Sequence, residues 1–432
     1  MSERSCPPAP PGVADATDTT EVAIIGAGPA GAVAAAILAA RGRRVTVIEA
    51  AHFPRFAIGE SLLPQCLMDL QKAGLAECVE AAGYRHKNGA RFVRGAQRVD
   101  IDFADKSTPG EAHAWQVPRA DFDRRLIEAA IGRGAVVRFG ERVCGVERGG
   151  SPARLVIENE RGERYELRAA FVLDASGAAR VLSRLTGTRA PTGQLSRQAL
   201  FTHLSLRETP PTASGRAFDG DKIQIGLHPS APVWYWLIPF TDGRASLGFV
   251  GRPEALASMT EGAPDAEGRF DACLGRFDEL PALVERGRYH RPVAAIDDYS
   301  RNAQRLHGPG YALLGNAGAF LDPIFSSGVT VAIRAAVLAA PLVERELEGE
   351  AVDWAQAFEA PLRRGIATFR AFVDAWYDGR LPAVIFHPDP PAWVRRHISA
   401  VLAGYAWDDD NPFTRQPRRH LDTLAALCGY AA

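Results

Sequence analysis

Short apolar runs and a helical segment alternate near the start of the chain. Residues 22–25 and 45–48 are apolar runs, the first followed by glycines and the second by an acidic residue, and an alanine-rich segment separates them. Apolar runs of this length bounded by glycine are typical of buried strands, and two strands joined by a helix are typical of parallel pairing. Residues 21–50 are therefore predicted to form a β-α-β unit.

Strand patterns dominate the middle of the chain, and helical patterns dominate its end. Apolar and alternating segments predict strands at residues 90–103, 113–117, 155–160, 164–173, 198–206, 222–228, 233–240, 244–250 and 311–314. Helical spacing predicts helices at residues 119–130, over most of 252–288, from about 327 to 348, and throughout the region beyond 352. This order predicts a nucleotide-binding α/β fold that is interrupted by an antiparallel sheet and followed by helices.

The same order predicts how the chain divides into domains. Residues 1–20 are rich in Pro, Ala, Thr and Asp and are predicted to be a disordered leader. Residues 21–350 are predicted to interleave two domains. The α/β domain takes about 21–90, 119–185 and 290–350, and the β-sheet domain takes about 90–118 and 190–288. Residues 351–432 are predicted to form a C-terminal helical region.

Composition narrows the class of protein. The 432 residues carry a formal net charge of −1, with 47% hydrophobic and 23% charged residues, so charge gives no support for a nucleic-acid partner or an anionic membrane. No apolar run has the length of a membrane span. The six cysteines are scattered without a C-x-x-C pair, which argues against a zinc site or a disulfide framework and favours a reducing cytoplasm.

The predicted β-α-β unit carries a dinucleotide-binding fingerprint. Gly26, Gly28 and Gly31 follow the first strand in G-x-G-x-x-G spacing, where they would permit a tight turn, close approach of a pyrophosphate, and helix–strand packing. Glu49 ends the second strand and can accept hydrogen bonds from ribose hydroxyls. A glycine turn without a ligand is the alternative. The strand, the helix and the terminal acid together favour the dinucleotide.

Two later stretches resemble the second and third fingerprints of the FAD-dependent aromatic monooxygenase superfamily. They are FVLDASGAAR at residues 171–180 and YALLGNAGAFLDP at residues 311–323. The resemblance implies a Rossmann-like FAD-binding domain of that type with the β-sheet domain as its substrate domain. It implies cofactor contacts at Gly26, Gly28, Ala30, Gly31, Glu49, Arg55, Ser61, Arg119, Asp174, Asn316, Pro323 and Gly328. Considered alone, Arg55 and Arg119 could equally be surface or packing residues.

Asn316 departs from the superfamily pattern. The third fingerprint usually has Gly-Asp, whose acid binds the ribityl chain, whereas this chain has Gly315-Asn316. Asparagine both donates and accepts hydrogen bonds but carries no charge. Weaker or more exchangeable flavin binding is the expected consequence. The same residue is the only support for a protein that binds flavin without turning it over.

Three further stretches resemble the flavin-dependent halogenases. WYWLIP at residues 234–239 matches their W-x-W-x-I-P motif, FLDPIFSSGV at 320–329 matches their halide segment, and RHKNGARFV at 85–93 places Lys87 where they have an essential lysine. The match runs from residue 21 to about 413. In that family, reduced FAD and dioxygen form a flavin hydroperoxide that oxidises chloride or bromide to hypohalous acid.

The resemblance gives roles to particular residues. Trp234 and Trp236, on one face of a strand, would separate the organic substrate from the flavin oxidant. Ser326, Ser327 and Gly328 would bind halide at a helix N-terminus, and Lys87 would direct hypohalous acid onto the ring. Each residue has a plainer alternative: core packing for the tryptophans, an ordinary helix cap for the serines, and a surface position for the lysine.

Phe325 narrows the substrate class. Tryptophan halogenases have a glutamate at this position, and halogenases of phenols and pyrroles resemble this chain in lacking it. The resemblance implies a small aromatic substrate, free or carried on an acyl or peptidyl carrier protein, and a separate flavin reductase. An acidic carrier could meet basic clusters at Arg395, Arg396, Arg415, Arg418 and Arg419, which could equally be solvated helix ends. Tyr377 could line the substrate tunnel or pack in the core. An FAD-dependent aromatic monooxygenase or reductase is the alternative function.

Overall fold

The computed structural model describes residues 18–147, 152–190, 197–207, 219–297 and 302–430. Most of the predicted leader lies outside this range, and the first strand begins at Asp18, before the predicted boundary. The strands within it are β1 (Asp18–Ile25), β2 (Val45–Glu49), β3 (Arg85–Lys87), β4 (Gly89–Arg94), β5 (Gln97–Asp102), β6 (Ala114–Gln116), β7 (Val136–Phe139), β8 (Arg142–Glu147), β9 (Ala153–Glu158), β10 (Arg164–Asp174), β11 (Arg189–Ala190), β12 (Gln198–Leu206), β13 (Lys222–Leu227), β14 (Val233–Pro239), β15 (Arg244–Gly251), β16 (Val284–Tyr289), β17 (Ala294–Asp297), β18 (Asn302–Ala303), β19 (His307–Gly308) and β20 (Tyr311–Leu313).

Helices connect these strands and form the C-terminal region. They are α1 (Pro29–Ala40), α2 (Pro64–Lys72), α3 (Ala76–Glu80), α4 (Arg119–Gly132), α5 (Val181–Leu185), α6 (Pro253–Met259), α7 (Ala266–Leu274), α8 (Leu280–Leu283), α9 (Ser327–Leu347), α10 (Ala360–Tyr377), α11 (Arg380–Ile385), α12 (Ala392–Leu402), α13 (Pro412–Arg415) and α14 (Pro417–Leu427).

The first large sheet carries the predicted β-α-β unit. Its main path runs β19-β20-β10-β1-β2-β7, in which the strands from β20 to β7 are parallel to one another and β19 is antiparallel to β20. The second half of β1, residues 22–25, is apolar and buried inside the sheet, and α1 is buried along its length against α4 and α9. The carboxyl ends of β1, β2, β10 and β20 meet at one edge, as expected where parallel strands bind a cofactor.

The second large sheet matches the predicted insertion, with one difference. Its path is β16-β12-β15-β14-β13-β4-β5, with β17 beside β12. All pairs are antiparallel except β13 with β4, which are parallel and are joined by a long connection, residues 95–221. The predicted strand at 90–103 is a hairpin of β4 and β5, and β7, β8 and β16 lie in stretches where no strand was expected.

Helix α9 lies between the first sheet's helices and the C-terminal helices. It packs against α1, α2 and α10, and its buried face is made largely of alanine and valine. Within the described part of the chain, α9 alone has the length and mean hydropathy of a membrane span, 1.5 over its most apolar window, and 61% of that window is buried inside the protein. Residues beyond 351 form the helices α10 to α14, as predicted, and α10 packs against α9.

Candidate active site

A cavity of about 460 Å³ lies between the carboxyl edge of the first sheet and one face of the second. Residues predicted to contact the cofactor line most of one side: Gly26, Gly28, Ala30, Glu49, Arg55, Ser61, Arg119, Asn316, Pro323 and Gly328. Trp234, Trp236 and Ser326 line it as well. Gly31, Asp174, Ser327 and Lys87 do not reach it.

The glycine turn has the geometry that the fingerprint requires. Gly26 has a φ of +97°, which only glycine adopts without strain, and a Cβ on Gly31 would lie 1.9 Å from the Gly26 carbonyl oxygen. Gly28 precedes the first turn of α1, whose N–H groups have no acceptors inside the helix. Glu49 accepts hydrogen bonds from the backbone N–H groups of Ala27 (2.7 Å) and Ala51 (2.9 Å). This turn fits the diphosphate and ribose of a dinucleotide.

Arg55 and Arg119 meet on one buried carboxylate. Asp123 is fully buried and accepts hydrogen bonds from Arg119 Nε (2.7 Å) and from Arg55 Nη1 (3.1 Å). Arg119 also donates to the Ile58 carbonyl oxygen at 2.7 Å. Both arginines are therefore held at the cavity instead of in solvent. Asp123 was not among the predicted site residues, although it follows Arg119 by four positions on α4 and that spacing is a helical ion-pair signal.

Asp174 supports the cavity from behind. It is fully buried at the end of β10, where one carboxylate oxygen accepts the Ser176 N–H (3.0 Å) and the other accepts the Leu182 N–H (2.8 Å). Burial raises the pKa of this carboxyl above its usual range. Asp174 thus shapes the turn at residues 175–177, and this turn, not the carboxylate, lines the cavity.

The two tryptophans form a wall on the opposite side. Trp234 and Trp236 lie on one face of β14, as strand alternation predicted, with ring centroids 6.0 Å apart. Trp236 Nε1 donates to Ser246 Oγ of β15 at 3.1 Å, and Trp234 Nε1 donates to Tyr377 Oη at 2.9 Å. Both indole N–H groups are used, so the wall presents mainly apolar surface to the cavity.

The halide segment closes one end of the cavity. Residues Pro323–Phe325 form a 3-10 turn, Ser326 has a φ of +55°, and α9 begins at Ser327. The Ser327 hydroxyl is fully buried and has no hydrogen-bond partner within the described residues. Unpaired N–H groups of a first helical turn together with small side chains suit an anion. Phe325 packs edge-to-face on Phe372 and Trp376, so it brings no acid to the cavity.

Lys87 is buried a short distance behind the cavity wall. Its side chain is 1% exposed, its Nζ donates to the Leu62 carbonyl oxygen at 2.8 Å, and it lies 5.3 Å from the Phe103 ring centroid. Ser61, the residue before Leu62, lines the cavity. Burial lowers the pKa of Lys87 to about 7, and among the described residues no carboxylate is in hydrogen-bond contact with its amine. The surface-lysine alternative is therefore wrong.

Glu60 and His203 form a buried pair that the sequence motifs did not indicate. His203 Nε2 lies 3.0 and 2.8 Å from the two carboxylate oxygens of Glu60, and Glu60 lines the cavity. Both side chains are less than one-tenth exposed. His203 lies on β12, 143 residues away, so no local spacing could have paired the two.

Comparison with known proteins finds similar sequences and similar structures. The FAD binding domain family matches residues 19–217. A solved structure of a flavoprotein/dehydrogenase from Cytophaga hutchinsonii is 39% identical, with a TM-score of 0.88 over 95% of this chain and 99% of that one.

Two curated relatives are halogenases. A tryptophan 2-halogenase from Chondromyces crocatus is 31% identical over 79% of this chain, which spans 64% of that relative's length. A 1H-pyrrole-2-carbonyl-[peptidyl-carrier protein] chlorinase from Pseudomonas fluorescens is 29% identical over 86% of each chain.

Proposed function

The chain belongs to the flavin-dependent halogenase family, and we propose that it halogenates an electron-rich aromatic ring, with FAD as cofactor and chloride or bromide as co-substrate. One observation carries the proposal. A single cavity is shared by the FAD-binding turns, the tryptophan wall and the halide segment, and a buried lysine lies just behind it. Each of these features alone could have a purely structural role, but their occurrence at one cavity favours halogenation.

Bound reduced FAD and dioxygen would supply the oxidising equivalent that converts halide into hypohalous acid. The protein's own contribution begins with placement. Ser326, Gly328 and the first turn of α9 would hold the halide beside the cofactor. Trp234 and Trp236 would keep the aromatic substrate out of direct reach of the oxidant, so that halide reacts first.

Lys87 would convert a diffusing oxidant into a positioned one. A pKa lowered to about 7 leaves much of this amine neutral at neutral pH. The neutral amine nitrogen can take the halogen from hypohalous acid to give a haloamine and water. The haloamine then passes its halogen to a ring carbon, which loses its proton as the amine is restored. Holding the halogen at one atom would give regioselectivity through proximity.

The substrate class follows from Phe325 and from the chlorinase relative. With no acid at position 325, the ring must be reactive without help from a base there, as phenols and pyrroles are. A carrier-tethered ring is one form of this substrate, by analogy with the carrier-protein chlorinase. The predicted basic clusters support it less, because Arg395 and Arg396 both pair with Asp105 and Arg418 pairs with Asp374. We propose a separate flavin reductase as the source of reduced FAD.

The test is a reconstituted reaction with FAD, NADH, a flavin reductase, chloride or bromide, and a panel of phenols, pyrroles, tryptophan and a carrier-loaded pyrrolyl acyl group. We expect a halogen isotope pattern in the product mass spectrum, abolished in Lys87→Ala with FAD binding retained. Lys106→Ala is the matched control, because Lys106 is also buried and also donates to a backbone carbonyl, that of Gly110 at 2.9 Å. Normal product formation by Lys87→Ala would contradict the assigned role.

A flavin-dependent monooxygenase or reductase is the second candidate function. It is favoured by the 39% identical relative, whose name is flavoprotein/dehydrogenase. The same reaction separates the two candidates. A hydroxylated product, or flavin turnover that is indifferent to halide and to Lys87→Ala, would support the second.

A further inference from the structure

Trp234 is anchored differently from its neighbour on the wall. Trp236 bonds to Ser246 on the adjacent strand, so both ends of that bond belong to one sheet. Trp234 donates instead to Tyr377, the last residue of α10 in the C-terminal region. The position of one wall residue therefore depends on a helix outside its own sheet.

The hydrogen bond continues into the halide segment. Tyr377 Oη lies 3.0 Å from Asp322 Oδ2. Because the indole can only donate and a hydroxyl has one hydrogen, Tyr377 accepts from Trp234 and donates to Asp322. The other oxygen, Asp322 Oδ1, accepts the Ile324 N–H at 3.2 Å and so holds the turn Pro323–Phe325. One carboxylate thus restrains both the wall and the halide segment.

The surroundings keep this carboxylate in place. Asp322 is 1% exposed, and burial raises its pKa to about 6, with Arg197 and the Tyr377 hydroxyl acting in the opposite direction. The Arg197 guanidinium lies 4.0 Å from Oδ2 and 3.4 Å from the centroid of the Tyr377 ring. Asp322 is therefore mainly ionised at neutral pH, the form that accepts both hydrogen bonds.

We propose that Asp322 and Tyr377 are positioning residues, which hold Trp234 and the halide-segment turn in one fixed arrangement. The consequence for catalysis rests on the proposed function. Loosening the arrangement would weaken halide binding and let the oxidant escape as peroxide instead of halogenated product. Neither residue is among those lining the cavity, so both act through the groups that they hold.

The test compares Tyr377→Phe and Asp322→Asn with Tyr235→Phe. Tyr235 provides a matched control, because its hydroxyl accepts from Gln224 and lies 2.6 Å from a Glu279 carboxylate oxygen, but it points to the opposite face of β14. The first readout is the change in flavin absorbance on bromide titration of the FAD-loaded protein. We expect about three- to tenfold weaker bromide binding in the first two variants, the equivalent of one hydrogen bond, and no change in the control.

The second readout is the ratio of halogenated product to hydrogen peroxide, which we expect to fall for Tyr377→Phe and stay unchanged for Tyr235→Phe. Trp234→Phe and the Trp234→Phe/Tyr377→Phe double variant complete a cycle, in which the two changes should be strongly non-additive in bromide affinity. Additive effects, or equal behaviour of Tyr377→Phe and Tyr235→Phe, would overturn the proposal. A wild-type protein that makes no halogenated product would overturn the proposed function instead, with the bromide cycle still testing the positioning role.

Discussion

The buried Lys87 should lower the free energy of unfolding of the protein. In the unfolded chain a lysine has a pKa of about 10.4, and in the folded chain burial lowers the pKa of Lys87 to about 7. Between these values the unfolded state binds more protons than the folded state, so this group makes the free energy of unfolding rise with pH from about 7 to about 10.4. At neutral pH nearly the full penalty is present, at roughly 1.4 kcal/mol per unit of pKa difference.

Replacing Lys87 by methionine should therefore stabilise the protein. Methionine fills a similar volume without a charge to desolvate, and we expect Lys87→Met to raise the free energy of unfolding by about 2–4 kcal/mol at pH 7. The gain should shrink as the pH approaches 10. Urea unfolding at pH 7 and pH 9.5 measures both effects. Lys222→Met should destabilise, because Lys222 donates to Asp219 and Asn88 and both would lose their partner.

Two results would count against this account: a less stable Lys87→Met protein at pH 7, or a stability difference that does not change with pH. Confirmation would explain why such a residue is found in the interior. A buried amine whose desolvation destabilises the fold is best explained by the chemistry that it performs.

Single residues differ in how far sequence could place them. Gly26, Glu49 and the tryptophan pair were predicted because each belongs to a motif whose spacing fixes its geometry. Asp322 and Tyr377 are 55 residues apart, and Glu60 and His203 are 143 residues apart. Such partners meet only through tertiary packing, which carries no local pattern. The sequence motifs placed most of the predicted cofactor-contacting residues at the cavity and missed Glu60, which also lines it, and the supporting carboxylates Asp123 and Asp322.

Strand β14 carries large side chains that fit because each neighbouring strand has a glycine opposite one of them. Gly248 of β15 lies opposite Trp236, and a Cβ there would be 2.2 Å from the indole ring. Gly226 of β13 lies opposite Tyr235, and a Cβ there would be 2.0 Å from the phenol ring. Each glycine leaves space for the ring opposite it, and the two rings lie on opposite faces of β14. Of the two faces, the one that carries Trp236 borders the cavity.

Alanine substitutions at these two glycines distinguish an effect on stability from an effect on catalysis. Gly248→Ala and Gly226→Ala should each lower the free energy of unfolding by about 1–3 kcal/mol, because either methyl group forces a packed ring to move. Gly248→Ala alone should shift the ratio of halogenated product to peroxide. Urea unfolding and product analysis on both variants make the comparison. An equal change in the product ratio for the two would mean that the wall acts only as core packing.

The bounds of strand β14 were predicted closely from the sequence. Residues 233–240 were predicted as a strand, and the structure has Val233–Pro239, because both faces of β14 are buried and apolar. The hairpin of β4 and β5 was read as one strand because its turn, at Gly95 and Ala96, is only two residues long. Strand β7 has one exposed edge position, Val136, and its short mixed pattern was not distinctive.

In the whole molecule, the cavity is lined by segments that are far apart in the amino-acid sequence. Its lining includes the carboxyl edge of the first sheet, strands β12 to β15 and β17 of the second sheet, and the halide segment with the first turns of α9. A ligand that fills this cavity should therefore stabilise the two sheets together. With free FAD at 100 times its Kd, linkage adds about 2.7 kcal/mol to the free energy of unfolding. We expect the stability measured by tryptophan fluorescence, to which Trp234 and Trp236 of the second sheet contribute, and the stability measured by far-ultraviolet circular dichroism to show the same shift.

Two glycines of the fingerprint provide the control. A Cβ on Gly28 would meet only Arg55 at an ordinary 3.5 Å, whereas a Cβ on Gly31 would overlap the Gly26 carbonyl oxygen. Gly28→Ala should therefore leave the stability of the FAD-free protein nearly unchanged and abolish the shift caused by FAD, because the methyl group occupies the path of the diphosphate. Gly31→Ala should destabilise the protein with or without FAD, because α1 could no longer pack on β1. An FAD shift that survives Gly28→Ala, or that appears in only one of the two signals, would mean that the cofactor binds elsewhere or that the two sheets unfold independently.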